Sequence, residues 1–191
     1  ANKDAPFGFR PVGELGSEVN TGGTSEYKIA SGETDVIYKG DVVQIEAAGT
    51  ITVSGNATTA NIGVFNGCFY NDPTTQKPTW SNYYPGSITP TVGDIEAFVY
   101  DDPNQLFLIQ DEGTLAQTNV GNNADIATYV AGSTINGQSK VELSSTAAAS
   151  AATFRIVRIC EDPENSDISS ANANWVVRYN EHLYYNDNSG I

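Results

Sequence analysis

The chain has 191 residues, enough for one domain with a sizeable core or for a domain carrying an arm. Asp and Glu number 23 against 9 Lys and Arg, a formal net charge of -14, so at long range the protein repels phosphate backbones and anionic membrane surfaces, and nucleic acid is not an expected partner. No apolar run reaches the roughly 18 residues of a membrane-spanning helix, so no membrane partner is expected; the opening residues lack a basic and then apolar signal pattern, so synthesis in the cytoplasm is the expectation.

Residues 1–24 hold five glycines and two prolines, which favours an extended arm over a helix or central strand, with residues 25–191 forming a single β-rich domain. Pro6, Phe7, Phe9, Arg10, Pro11 and Val12 concentrate apolar surface on that arm, and exposed aromatics need something to dock on. Either the arm folds back onto its own domain or it lies along a partner. If a partner takes it, deleting residues 1–12 leaves the stability of the domain nearly unchanged.

A short strand is expected around Tyr27, Lys28 and Ile29, followed by a β-meander over residues 36–73. Within the meander Ile51 and Val53 alternate with Thr50, Thr52 and Ser54, the pattern of a strand with one wet face. The run 62–70, IGVFNGCFY, is apolar nearly throughout, as in a strand covered on both faces, and its two glycines suggest a bulge or a close backbone approach. Residues 71–90 form a long loop with Trp80, Tyr83 and Tyr84, aromatics that could stack on sugars, contact a neighbouring protein or cap the sheet. Residues 94–110 suggest a β-hairpin turning at Asp101 to Asn104. Residues 113–125 are the best helix candidate, with Asn119 or Gly121 as its stop.

Weak strand signals follow at Tyr129, Ile135 and residues 141–143, and the Ala/Ser-rich piece 144–152 is expected to be a loop. Residues 154–160 and 175–179 are expected strands, and Tyr184 and Tyr185 sit in a Tyr-rich tail. Cys68 and Cys160 both fall in apolar runs and are expected to be reduced and buried. Three strands end alike, at Tyr70-Asn71-Asp72-Pro73, Tyr100-Asp101-Asp102-Pro103 and Cys160-Glu161-Asp162-Pro163; the expected reason is turn chemistry, with calcium binding through Asp72, Asp101, Asp102, Glu161 and Asp162 a minor alternative. The sequence has no nucleophile elbow, phosphate loop, HExxH or CxxC pattern, and its lone His182 suggests packing or surface, so the expectation is a protein that is not an enzyme and uses no cofactor or metal.

The segments APFGFRPV (5–12), YKGDVV (38–43), IGVFNGCFY (62–70), SNYYPG (81–86), AFVYDDPN (97–104), GNNADI (121–126) and YNEH (179–182) resemble small structural proteins of tailed bacteriophages, marine ones especially. The resemblance implies a virion component of the head decoration (capsid cement) type, lying on the outer capsid surface. GDVV followed by IGVF is also similar to cement domains with β-tulip or small-barrel folds that assemble as trimers. The implied partners are the major capsid protein and two further copies of the chain. The combined expectation is a mainly β domain, a small β-barrel, β-tulip or sandwich of seven to ten short strands, with one short helix and an extended N-terminal arm. Arm residues would meet the capsid, while Trp80, Tyr83, Tyr84, Tyr184 and Tyr185 would serve oligomer or partner contacts. The alternatives are a glycan-binding or adhesion module, with the aromatic loop as its platform, and a minor tail or connector protein.

Overall fold

The computed structural model describes residues 1–16, 22–55, 61–147 and 152–185. It is mainly β, with two antiparallel sheets. The strands are β1 (Arg10–Glu14), β2 (Ser25–Ile29), β3 (Val42–Ile45), β4 (Ile51–Val53), β5 (Asn61–Asn71), β6 (Pro78–Ser81), β7 (Ile95–Tyr100), β8 (Gln105–Gln110), β9 (Asn123–Ala124), β10 (Phe154–Ile159) and β11 (Asn174–Tyr179). Sheet A has the order β1-β8-β11-β10-β9, and sheet B the order β2-β7-β5-β3-β4 with β6 added on β5. The end strands β2 and β4 of sheet B approach one another, so this sheet curls towards a barrel. Its interior holds Val43, Ile62, Phe65, Tyr84, Ile95 and Val99. Sheet A supplies Phe107, Phe154, Ile156, Trp175 and Val177 to a second core, which also takes Val42 and Val64.

Strand β5 links the two cores: neighbours Val64 and Phe65 point to opposite ones, and a bulge at Ile62 in the pairing with β3 turns that side chain to the barrel as well. Ile62 enters the barrel interior, whereas Val64 faces the second core. That is the two-sided burial its apolar sequence suggested. Both of its glycines have structural reasons. A side chain on Gly63 would collide with the Tyr100 carbonyl and the Val99 side chain, and between Phe65 and Gly67 the pairing with β7 slips through a bulge.

Residues 71–90, expected to be one long loop, contain strand β6, and four further expectations change. The segments β7 and β8 are strands but do not form a hairpin: β7 belongs to sheet B and β8 to sheet A, and the turn at Asp101 to Asn104 carries the chain from one to the other. The helix expected over 113–125 is only a 3₁₀ turn at Gln117–Asn119, with no buried residue to anchor a longer helix. Residues 36–38 make an isolated bridge between Ile37 and Tyr84 in place of a strand, and the weak signals at 133–143 likewise become single bridges. Of the Ala/Ser-rich piece, 148–151 lie outside the described residues; residues 144–147 and Ala152 carry no helix or strand.

The fourth change concerns the arm, whose described part is woven into the domain. Gly8, at φ +70°, fits against Ser139 and Gly40 where no Cβ has room, and this turn directs Phe9 inward. Phe9 is 2 % exposed, stacks on Phe154 at 4.3 Å and meets Phe107 edge-on at 6.2 Å. Its amide donates to the Gly40 carbonyl, and β1 then pairs with β8 through a bulge near Gly13. Upstream, the Asn2 side-chain amide donates to the carbonyls of Asp167 and Ala171, while Gln110 accepts from the Ala5 amide and donates to the Lys3 carbonyl. Pro11 is tolerated because β1 is an edge strand.

Acidic side chains tie the turns. The Asp72 carboxylate accepts from the amides of Thr74 and Thr75, Asp102 from Asn104, and Asp162 from Glu164. Each is the local capping expected of Asp before Pro. Buried Asp111 accepts from the Trp175 indole at 3.0 Å and the Ala173 amide at 2.8 Å, joining the end of β8 to β11. Desolvation outweighs these bonds and raises its pKa above the usual carboxylate range.

Candidate docking surfaces

Two solvent-facing surfaces stand out, one on each sheet. The first follows from strand alternation in sheet A. Phe107 and Ile109 of β8, Trp175 and Val177 of β11, and Phe154 and Ile156 of β10 point into the core, so their alternate neighbours face outward. Register then assembles one outward row across four strands: Arg10 opposite Leu108, Leu108 opposite Val176, and Val176 opposite Arg158. The next row contains Leu106 opposite Arg178 and Arg178 opposite Arg155; Val176 and Leu106 themselves are buried, so the solvent meets mainly the arginines of these rows. The bulge between Ile156 and Arg158 brings Arg158 to the same face as Arg155. A cavity of about 350 Å³ opens beside these rows, lined by residues 12–16, Leu106, Val157 and Arg158. Val12 and Leu15 are 43 % and 44 % exposed at its rim.

The second surface lies on sheet B beyond the part covered by sheet A. Trp80 stands opposite Phe69, Phe69 opposite Glu96, and Glu96 opposite Lys28, one row across four strands. The Trp80 ring rests over Gly67, where a Cβ would come within 2.6 Å of Cζ2, and lies 5.1 Å from the Phe98 ring. Trp80 is 53 % exposed. Phe69 and Phe98 were missed in the sequence because each looks like an ordinary member of an apolar strand; only the register puts them beside Trp80.

The residues expected to make contacts are therefore divided between surface and core. Arg10 and Val12 are exposed on sheet A, with Arg10 above the Phe7 ring at 4.5 Å. Pro6 and Phe7 are half-buried beside a small cavity of about 110 Å³, Pro11 is half-buried, and Phe9 is core and cannot touch a partner. Tyr84 is also core: it is fully buried, its hydroxyl donating to the Glu33 carbonyl and accepting from the Ile88 amide. Tyr83 is half-buried and stacks on Tyr38 at 5.9 Å, so the three loop aromatics do not form one platform. Tyr184 and Tyr185 remain exposed, and the Arg178 guanidinium lies 5.4 Å from the Tyr185 ring centre.

The remaining titratable side chains of note serve packing. His182 is buried against Tyr179 with Nε2 2.8 Å from the Ile62 carbonyl, and burial lowers its pKa. Asp41 is buried where the arm meets β3; it accepts from the Tyr38 amide and Tyr129 hydroxyl, and burial pushes it up to about 6. Cys68 is buried and pushed up to about 12, whereas Cys160 is half-buried, more open than its apolar sequence context suggested. Among the described residues no cluster of three or more His, Cys, Asp or Glu is arranged to hold a metal ion. Compared with protein-family models, curated proteins and solved structures, the chain matches none.

Proposed function

We propose that this protein is a virion structural protein of the capsid-decoration type, which binds the outer surface of a phage head as a trimer and stabilises the shell. The observation that carries the reading is the outer face of sheet A: exposed Arg10, Val12 and Leu15 stand beside an open cavity of about 350 Å³ whose lining also includes exposed Arg158. Exposed apolar side chains beside guanidinium groups have the make-up of a protein-binding patch. The likeness of the sequence segments to phage structural proteins supports the same role. Attachment uses the face that the arm helps to build, with the arm anchored in its own domain by Phe9. Sedimentation with bare heads tests this: the protein pellets with them and raises their disruption temperature, whereas protein left in the supernatant refutes the role.

The row Trp80–Phe69–Glu96 favours a second reading, a glycan-binding module. A flat, half-exposed indole can stack on the C–H face of a sugar while a neighbouring carboxylate accepts from its hydroxyls. Because Trp175 is fully buried, Trp80 is the indole placed to respond to added oligosaccharide. A fluorescence change lost in Trp80→Phe supports this reading, and an unchanged spectrum across neutral oligosaccharides removes it.

A further inference from the structure

The chain has four arginines, Arg10, Arg155, Arg158 and Arg178, and all four stand on the outer face of sheet A. The other five cations are lysines, so every guanidinium of a protein with 23 acidic residues is gathered on one surface. Composition does not require this placement. Among the described residues the ion pairs are those of the N-terminus with Asp167 and of Lys28 with Asp94, and neither involves an arginine.

We propose that this face is a carboxylate-reading surface, and that its partner is a protein surface bearing Asp or Glu beside apolar side chains. The proposal rests on the decoration reading and specifies the chemistry of the shell at the attachment site. Arginine suits the task because its planar fork pairs bidentately with a carboxylate and is more weakly hydrated than an ammonium group. The row Arg10–Leu108–Val176–Arg158 places two guanidinium-bearing strands about 14 Å apart at the backbone, with half-buried Leu108 and buried Val176 between them, while Val12 and Leu15 stay exposed beside the cavity that Arg158 lines. An acidic protein patch with apolar side chains beside its carboxylates complements the guanidinium groups together with exposed Val12 and Leu15; a phosphate backbone makes no use of the apolar side chains.

The four side chains are prepared to different degrees. Arg155 is steadied by Asn123 and Asn180, and Arg178 by the Tyr179 carbonyl and the Tyr185 ring. Arg10 is exposed and lies over the Phe7 ring, and Arg158 is exposed at the rim of the cavity. Arg10 and Arg158 are therefore the two expected to close on the partner. The net charge of the protein opposes approach to an acidic surface, but at physiological ionic strength charges beyond about 8 Å are largely screened, so the facing side chains decide contact.

The test uses bare heads and heads whose surface carboxylates have been amidated with carbodiimide and glycinamide, with immobilised poly-L-glutamate as a second probe. Arg10→Gln and Arg158→Gln change exposed side chains, so their melting curves should match the wild type. Each should weaken binding to untreated heads about tenfold, the amidated heads should lose most of their binding, and the double variant should lose retention on poly-L-glutamate at low salt. Lysine at the same positions should restore binding only in part. Heads bound equally well by wild type and both variants, amidated or not, overturn the proposal while leaving decoration intact. Absence of head binding with retained arginine-dependent binding to poly-L-glutamate defeats decoration and upholds the face. Binding to neither probe overturns both. Competition by duplex DNA but not by poly-L-glutamate, or arginine variants that change only self-association, also overturns the acidic-partner assignment.

Discussion

Replacing Phe9 by Ala tests the finding that the N-terminal segment belongs to the core. The ring is 2 % exposed, stacked on Phe154 at 4.3 Å and edge-on to Phe107 at 6.2 Å, so truncation removes both contacts and leaves a cavity between sheet A and β3. Phe→Ala at a site of this kind costs about 3–5 kcal/mol, which in a chain of this size lowers Tm by about 6–20 °C. Phe7→Ala is the matched control: that ring is half-buried, its face covered by Arg10, and its loss should cost under about 1 kcal/mol. Deleting residues 1–12 removes Phe9 together with the start of β1 and should destabilise at least as much as Phe9→Ala. Calorimetry and urea unfolding, followed for all three proteins, provide the comparison. A Phe9→Ala protein or truncation melting within about 2 °C of wild type would show that the segment is an independent arm, and the reasoning would fail.

Asp41 gives a pH-dependent test. Its folded pKa, about 6, lies above the unfolded value of 3.8, so the ionised carboxylate costs the folded state about 3 kcal/mol at neutral pH. That cost fades as pH falls through 6 and vanishes below 3.8, where both states are protonated. Asp41→Asn should therefore be more stable than wild type at pH 7 by a margin that shrinks towards pH 4; a margin that grows on acidification contradicts the assignment. For the cysteines, a thiol reagent should modify Cys160 slowly in the native protein and Cys68 only after unfolding, which mass spectrometry can resolve. The opposite order would misplace β5. Gly63→Ala should cost about 1–3 kcal/mol or more in urea unfolding, because its new methyl meets the Tyr100 carbonyl and Val99. A neutral outcome would mean that β5 and β7 are not in close contact there.

Much of the framework is legible wherever local chemistry decides it. The apolar run of β5 announces burial on both faces, its glycines announce the bulge and the close approach, and each Asp-Pro pair announces a turn capped by the Asp side chain. Turn chemistry does not reveal which sheet the next strand joins, and so the Asp101 to Asn104 turn looked like a hairpin while it changes sheets. Prolines at 6 and 11 argue against a central strand in the arm, and the strand that forms is an edge strand with no ladder partner to lose on one side, while Gly8 supplies the turn that buries Phe9. The contact surfaces were least legible. Trp80 and Tyr84 are four positions apart, but one faces solvent from β6 and the other fills the barrel interior. Arginines from three strands share a face only through pairing between residues up to 168 apart, from Arg10 to Arg178.

The decoration account is tested most directly by electron cryomicroscopy of stripped heads saturated with the protein. It predicts three copies around a local three-fold position, each with the outer face of sheet A, Arg10 and Arg158 included, turned towards the capsid lattice and Trp80 elsewhere. Copies that turn sheet A to solvent, or single copies at sites without local three-fold symmetry, would contradict it.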